Sequence, residues 1–587
     1  MRPAKGRPDE NLARIRDEIA QSGDASVVVF PETALTGYFI EGGVLEGARS
    51  VDEVAQGLGP TGPGSPDVVI GFYERWRSGL FNSVAWFEAG ADAYRAVHVH
   101  RKLFLPTYGL FDEARFVAAG SHARAFDTRF GRVGLLICED LWHSLPATIL
   151  ALDGAELLVV ASAAPARDFS ARSAGALSGD LDSSGNAGPG NVARWHRLAR
   201  TTAEEHGIFV AVSQLVGSEG GKLLSGASVV VAPDGATLAT GPLFEPGHAE
   251  ATLDGRRILR TRAGAPLLFD LEQRLPLLQG ELERARRGIA DPQPSSPPRR
   301  STLPSGPAPS IDPNDPDLMT LDLEHTEQAL LHFIREEVRV RRGFERVVVG
   351  VSGGVDSAVS LVLACRALGP ENVYGFRMPY ASSSSESLEH AQWVFDLTGA
   401  HERTLDITPA VDGYLATHEP DADGLRRGNV MARMRMIALF DQSARLRALP
   451  LGTGNKSERL LGYYTWHADD APPINPLGDL FKTQVWALAR HLGVPDGIID
   501  KPASADLVRG VHDEDELGIA YHRADPILYW LLQGVSAAEL EACGFEASEV
   551  DVVHRRLQST HWKRELPTVA MLSSTAIGEF YLRPVDY

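Results

Sequence analysis

Three short apolar runs of this sequence each end in one side chain able to take part in acyl chemistry. SVVVF-PE puts Glu32 just past a strand pattern, AVHVHRK puts Lys102 just past a second, and GRVGLLIC puts Cys138 at the end of a third. In an α/β sheet the crevice outside the carboxyl ends of the strands is where ligands bind, so the three side chains are expected to meet there. A free thiol, with a pKa of about 8.5, needs a base or a cation before it attacks a carbonyl. Glu32 can take the proton. Lys102 can stabilise the thiolate and then the oxyanion of a tetrahedral intermediate. By spacing alone, the commoner reading of a lone cysteine is a small buried apolar residue.

A second constellation lies in ERVVVG-VSGGVDS-AVSLVLACRALG, which reads as strand, loop and helix. Ser352, Gly353, Gly354, Asp356 and Ser357 form the turn. Its glycines let the backbone approach phosphate oxygens, and the amides at the helix start point at an anion. Asp356 can hold Mg²⁺, because hard cations prefer carboxylate oxygen. No G-K-[ST] follows, so this is not a Walker A loop. Gly57-Leu58-Gly59-Pro60-Thr61-Gly62 formally fits a dinucleotide fingerprint, but no strand precedes it and Pro60 interrupts it.

The elements that must position these groups follow an α/β pattern: short apolar runs alternate with amphipathic stretches in both halves. DVVIGF, ELLVVAS, IFVAVS and ASVVVAP add strands to the first half, and Leu321 to Arg342 has helical spacing. The proline-rich stretch from Ala290 to about Pro316 sustains neither helix nor sheet interior. The expected organisation is a domain over 1–285, a linker over 286–318 and a domain over 319–587. A second loop-like stretch, Ser178 to Asn191, reads as a surface insertion. The formal charge of −20 argues against nucleic acid as a partner, so any phosphate needs a local site. The 3 cysteines are far apart, which excludes a disulfide framework and a Cys-rich zinc site and suits a reducing compartment. No apolar run reaches the ~18 residues of a membrane helix, and the N-terminus has no apolar signal region. A soluble cytoplasmic protein is the expectation.

FPETALTGY, RKLFLPTYGLFDEARF and LLICEDLW resemble the nitrilase superfamily of carbon–nitrogen hydrolases over roughly residues 9–285. The resemblance implies a nitrilase-like αββα sandwich, with Glu32 as general base, Lys102 as electrostatic stabiliser and Cys138 as nucleophile. It also implies Glu113 as a second catalytic glutamate and Tyr108 as a residue for amide substrate, here glutamine. Ser162, at the end of ELLVVAS, reads equally as a substrate-facing hydroxyl and as a plain strand end. Other thiol amidase designs fit less well: Cys138 lies in I-C-E-D rather than on a G-x-C-x-G elbow, and position 2 is Arg2. Domains of this kind open with an apolar strand, whereas here the chain begins almost at the helix NLARIRDEIA. Either the start is truncated or the first sheet is one strand short.

SGGVDS resembles the ATP pyrophosphatases, which adenylate a substrate with release of pyrophosphate. RMPYASSSSES, NVMARMRMIALF, LGTGNKSE, NPLGDLFKTQVWALARHLGVP, KPASADL and DEDELGIAY extend this to a resemblance to NAD synthetases over roughly residues 319–587. It implies a doubly wound parallel sheet of the ATP-pyrophosphatase (adenine nucleotide alpha hydrolase) type. Thr453, Lys482 and Ser504 would contact ATP. Glu458 would join Asp356 at Mg²⁺ or face the substrate. Asn429, Arg433 and Lys563 would contact the dinucleotide. The chain departs from the family in TWHADDAPPINP, where Trp466 stands at a lysine position and Pro473 at an aspartate position. His467 or Asp469 would substitute for those contacts.

The two resemblances together imply a homo-oligomeric amidotransferase of the glutamine-dependent NAD synthetase family. It would use glutamine, ATP and nicotinic acid adenine dinucleotide (deamido-NAD), with no membrane partner. Two rivals are carried forward. One is an amidotransferase for a different carboxylate, motivated by Trp466 and Pro473. The other is a binding protein, or an ammonia-dependent synthetase, with a decayed amidase half.

Overall fold

The computed structural model describes residues 1–40, 43–170, 189–290, 311–503 and 513–565. They divide into two units, the first built on residues 1–168 and 189–290, the second on 311–503 and 513–565 with 169–170.

The first unit holds a four-stranded sheet in the order β1 (Val27–Val29), β2 (Asp67–Trp76), β3 (Gly79–Ala89), β4 (Tyr94–Arg101). Its six-stranded sheet has the order β12 (Thr237–Thr240), β11 (Val229–Val231), β8 (Phe209–Gln214), β7 (Leu157–Ser162), β6 (Gly131–Ile137), β5 (Phe126–Thr128). A separate hairpin pairs β9 (Val216–Glu219) with β10 (Lys222–Ser225). Strand residues alternate between faces. On β2, Val69 joins Val84, Trp86, Leu135, Ile137 and Val159 in the core between the sheets. Val68, Ile70 and Phe72 pack outward with Ile15 of the helix Pro8–Gln21 and with Val54. The outer face of the second sheet is covered by Ala147 and Leu150 of the helix Ser144–Leu152 and by Trp195, Ala199 and Ala203 of the helix Gly190–His206. The result is the expected αββα sandwich. Each fully buried Val, Leu or Ile in it contributes about 1.5–3 kcal/mol.

The second unit has four parallel strands in the order β15 (His401–Thr404), β14 (Val373–Arg377), β13 (Arg346–Gly350), β16 (Ala448–Leu451). Val347 and Val349 face the helices Val355–Leu368 and Lys482–Leu492. Val348 and Phe376 face Leu439 of the helix Gly424–Leu446. Helices therefore cover both faces, and the strand order reverses between β13 and β16. That reversal opens a crevice at the carboxyl ends of these two strands.

The helix expected over Leu321 to Arg342 runs over Leu323–Arg335 and continues as a π-helical turn, Glu336–Val340. The helix Leu267–Ala290 carries residues 286–290 into the expected linker; 291–310 lie outside the described residues, as do 178–188 of the expected insertion. Among the described residues no helix is long and apolar enough to cross a membrane. Cys138, Cys365 and Cys543 are free thiols.

Candidate active sites

In the first unit Glu32, Lys102 and Glu113 meet as expected. Glu32 follows β1 in a segment that passes directly over β2 at Gly71. A Cβ at that glycine would lie 2.5 Å from the Pro31 carbonyl oxygen and 2.6 Å from Glu32 Cα, both backbone atoms that cannot rotate away. Lys102 follows β4, and Glu113 starts the short 3-10 helix Glu113–Arg115. The Lys102 ammonium, fully buried, donates to Glu32 Oε1 at 2.8 Å and to Glu113 Oε2 at 2.7 Å. Asn82 on β3 donates to Glu32 Oε1 at 2.8 Å and to Glu113 Oε1 at 2.5 Å. Tyr38 donates its hydroxyl to Glu113 Oε2 at 3.3 Å. The other oxygen of Glu32, Oε2, is buried and has no hydrogen-bond partner.

Cys138 stands where β6 turns into the 3-10 helix Cys138–Trp142, with φ +43°, a left-handed conformation that costs about 1–3 kcal/mol for a non-glycine residue. Its thiol lies within the field of Glu32 and Lys102. Burial, then the Glu32 charge, push the thiol up; Lys102, the Ser162 hydroxyl and the Ala163 amide pull it back. Burial also raises Glu32, aided by Glu113 and opposed by Lys102. For Lys102 burial acts downward, but Glu113 and Glu32 outweigh it and hold the ammonium well above its ordinary value. A protonated thiol thus faces a carboxylate of raised basicity, beside a fixed positive charge. That arrangement suits proton transfer concerted with attack on a carbonyl.

Ser162, buried at the end of β7, adjoins the thiol. Tyr108 is at the rim, 57% exposed, and its hydroxyl donates to Glu139 Oε2 at 2.8 Å and Oε1 at 3.0 Å. Its ring packs edge-on against Phe111, which stacks with Phe39.

In the second unit the loop SGGVDS enters the helix Val355–Leu368. Gly353 has φ +81°, and a Cβ there would sit 2.1 Å from the Ser387 carbonyl oxygen, so only glycine fits. Ser357 Oγ donates to the Gly354 carbonyl at 2.9 Å and accepts from Ser352 N at 3.2 Å. Asp356 Oδ1 accepts from Asn455 Nδ2 at 2.9 Å, and its Oδ2 accepts from Lys482 Nζ. The same ammonium reaches Glu458 Oε1 at 3.4 Å. Burial, then repulsion from Asp356, push Glu458 up to about 8 against the pull of Lys482. Burial acts to lower Lys482, but Asp356 and Glu458 raise it above its ordinary value. Asp356 sits in the first turn of the helix after β13, Glu458 in the first turn of Lys456–Leu461 after β16, and Lys482 opens Lys482–Leu492. Thr453 lies in the loop leaving β16. Ser504 lies outside the described residues.

Asn429, Arg433 and Lys563 gather around one segment. Asn429 Oδ1 accepts from Thr465 Oγ1 at 3.1 Å, and Arg433 donates to the Trp466 carbonyl at 3.1 Å. The Lys563 ammonium donates to the carbonyls of Gly462 at 2.9 Å and Tyr464 at 3.1 Å. Trp466 packs on His467 at 4.0 Å and edge-on to Trp562 at 5.2 Å. Asp469, expected as a substitute contact, accepts from Thr465 N at 2.8 Å.

Three participants escaped the sequence reading. Asn82, with Ser83, interrupts the apolar run LFNSVAWF, a signal that was there to find. Asn455 forms a capping box with Glu458, readable as N-x-x-E. Asp525, fully buried on the helix Tyr521–Leu532, is a charge on an apolar stripe with Tyr521, Ala524 and Leu528. It accepts from Ser457 Oγ at 2.5 Å and from Thr483 N and Oγ1 at 2.9 and 2.8 Å, so it ties together the helices that carry Glu458 and Lys482. Burial pushes its carboxyl up to about 6, against the hydrogen bonds from Ser457 and Thr483. The folded state therefore holds this proton more tightly than the unfolded chain. The associated stability is full below about pH 4 and is lost as pH rises through about 6. Asp525→Asn cannot titrate. Its Tm relative to wild type is expected to rise steadily between these values, measured by thermal denaturation across pH; a constant difference would contradict the shift.

A buried thiol–carboxylate–ammonium set on an αββα sandwich, and a phosphate loop at the switch point of a parallel sheet, define a carbon–nitrogen hydrolase unit joined to a nucleotide-binding unit. Two family models match accordingly: carbon-nitrogen hydrolase over residues 1–263 and NAD synthase over residues 326–567. The NH(3)-dependent NAD(+) synthetase of Chlorobaculum parvum is 48% identical over 265 residues, covering 45% of this chain and 95% of that protein. The chain belongs to the NAD synthase family. A glutamine-dependent NAD+ synthetase from Acinetobacter baumannii, solved in complex with ADP, matches with TM-score 0.69 and 22% identity over 100% of this chain and 97% of that one. A glutamine-dependent NAD(+) synthetase from Cytophaga hutchinsonii matches with TM-score 0.63 and 16% identity over 96% and 92%. At these identities the two structures speak for the fold.

Proposed function

We propose that this chain is a ligase that amidates deamido-NAD to NAD at the expense of ATP, with nitrogen released from glutamine. The observation that carries the glutamine half is the intact first site: one ammonium held by two carboxylates, with Glu32 Oε2 left open beside the Cys138 thiol. A well-packed apolar replacement of such a buried set is often neutral or stabilising, so fold stability alone gives a decayed amidase little reason to keep it.

In the first reaction Cys138 Sγ attacks the glutamine side-chain carbonyl carbon and its proton passes to Glu32. Lys102 faces the developing oxyanion. The C–N bond breaks, ammonia leaves with the proton from Glu32, and a thioester remains. Water then attacks that thioester as Glu32 takes its proton; glutamate departs and the thiol is reprotonated. Glu113 and Asn82 hold Lys102 and Glu32 in register. Tyr108 and Ser162 bound the pocket for the amide.

In the second reaction the deamido-NAD carboxylate attacks the α-phosphorus of ATP, pyrophosphate leaves, and ammonia displaces AMP from the acyl adenylate. Ser352, Gly353, Gly354 and Ser357 line the phosphate loop, with Thr453, Lys482 and Ser504 as further ATP contacts. Asp356 and Glu458 would hold Mg²⁺, which supplies charge neutralisation at the phosphates. The donor set fits, because Mg²⁺ is commonly bound by one or two carboxylates plus substrate phosphates. Asn429 and Arg433 shape the dinucleotide pocket, and Lys563 acts through the Gly462–His467 segment that it pins. Lys563→Ala is expected to raise the KM for deamido-NAD about ten-fold, roughly 1.4 kcal/mol, with the KM for ATP within about two-fold. Equal rises in both would place Lys563 elsewhere.

The reading extends to a domain boundary within 286–318, a homo-oligomer and a cytoplasmic setting. Exposed Leu267, Phe269, Leu277 and Leu282 on one helix support self-association, and three free thiols suit a reducing compartment. The deciding experiment assays NAD formation from deamido-NAD and ATP with glutamine, then with ammonium. NAD from both supports the reading. NAD from ammonium alone favours the ammonia-dependent rival, and pyrophosphate release only with another carboxylic acid favours the other.

A further inference from the structure

Asp140 lies two residues after the thiol and is fully buried. Its Oδ1 accepts from the backbone amides of Leu103 at 2.9 Å and Phe104 at 3.0 Å. Its Oδ2 accepts from the amide of Ile137 at 3.2 Å and lies 2.9 Å from Nε2 of His100, also buried. The bonded residues bracket the chemistry. His100 precedes Lys102 on β4, Leu103 and Phe104 follow it, and Ile137 immediately precedes Cys138. One carboxylate thus ties the chain on both sides of the ammonium to the turn that carries the thiol. With three backbone amides donating to it the carboxyl serves as an acceptor, and His100 is assigned the tautomer that donates from Nε2.

The left-handed Cys138 needs such a restraint. A residue at φ +43° relaxes toward negative φ unless its surroundings over-determine it. Ile137 is the residue immediately before it, and its amide is fixed through Asp140 to the strand that presents Lys102.

We infer that Asp140, held by His100, is a positioning residue for glutamine deamidation: it sets the Lys102 ammonium against the Cys138 thiol and keeps the thiol's backbone in its left-handed state. This rests on the glutamine reading above. A misplacement of about 1 Å costs on the order of 100-fold in rate without loss of binding. The test is Asp140→Asn in the full-length enzyme. The amide keeps one oxygen for Leu103 and Phe104 but turns an NH₂ toward the Ile137 N–H and His100 Nε2, so it breaks the contacts made by Oδ2.

Wild type is assayed first, since absence of glutaminase activity there would overturn the proposed function rather than this inference. With activity present, Asp140→Asn is expected to lower kcat for glutamine about 10–100-fold with KM within about three-fold. Ammonium-dependent synthesis should stay unchanged. Alkylation of Cys138 by iodoacetamide should slow, with its pH profile displaced upward, because the thiolate loses its aligned cation. His100→Gln, which can still donate to Asp140, is expected to stay near wild type, and His100→Leu to behave like Asp140→Asn; this pair serves if the first variant does not fold. Wild-type kcat and an unmoved alkylation profile in Asp140→Asn would overturn the inference. So would equal loss of the ammonium reaction, or equal damage from His100→Gln and His100→Leu.

Discussion

Cys138→Ala is expected to abolish NAD formation from glutamine, by on the order of 10³-fold or more, while ammonium-dependent formation stays within about two-fold of wild type. In the proposed reaction the thiol is the atom that bonds to the substrate carbon. Glu32 and Lys102 have nothing to act on without it. The methyl group of alanine fills most of the same space beside Ser162 and Ala163, so the fold should hold. The second reaction needs ammonia but no covalent help from the first unit. Steady-state assays with each nitrogen donor, together with the Tm of the variant, decide the matter. Parallel loss with both donors would make the thiol structural.

Asp356→Ala should have the opposite signature: AMP formation falls on the order of 10²–10³-fold with either donor, and glutamine hydrolysis continues. Asp356 is the common partner of Asn455 and Lys482. Without it the Lys482 ammonium is left to Glu458, which also loses the repulsion that raises it. One oxygen ligand expected at Mg²⁺ disappears at the same time. Isotope exchange between ATP and pyrophosphate measures this half reaction directly. Normal exchange in the variant would remove Asp356 from it.

The residues expected at the dinucleotide show what a one-dimensional reading leaves out. Lys563 was read as a substrate contact on a motif match, yet its ammonium is committed to two carbonyls of a loop about a hundred residues earlier. Arg433 likewise donates to the Trp466 carbonyl. A motif reports which residue types recur at a position, but a side chain's partner is chosen among groups that only the folded chain brings near.

Strand-end positions of Glu32, Lys102 and Cys138, and the strand–loop–helix around Asp356, were determined by the sequence itself. Their signals are local: a run of β-branched residues ending at a reactive side chain, or glycines before an amphipathic helix. Such patterns need only neighbours within a few residues, so they survive without tertiary context. The tertiary structure decided how the charges are satisfied. Asn82 bridges Glu32 to Glu113 across 50 and 31 residues of chain respectively, Lys482 reaches back 126 residues to Asp356, and Asp525 joins two helix starts from a third helix. Each is a buried polar group whose partner is set by packing of distant strands and helices. Because an unpaired buried charge costs so much, these distant partners, rather than the reactive residues alone, are what make both sites possible.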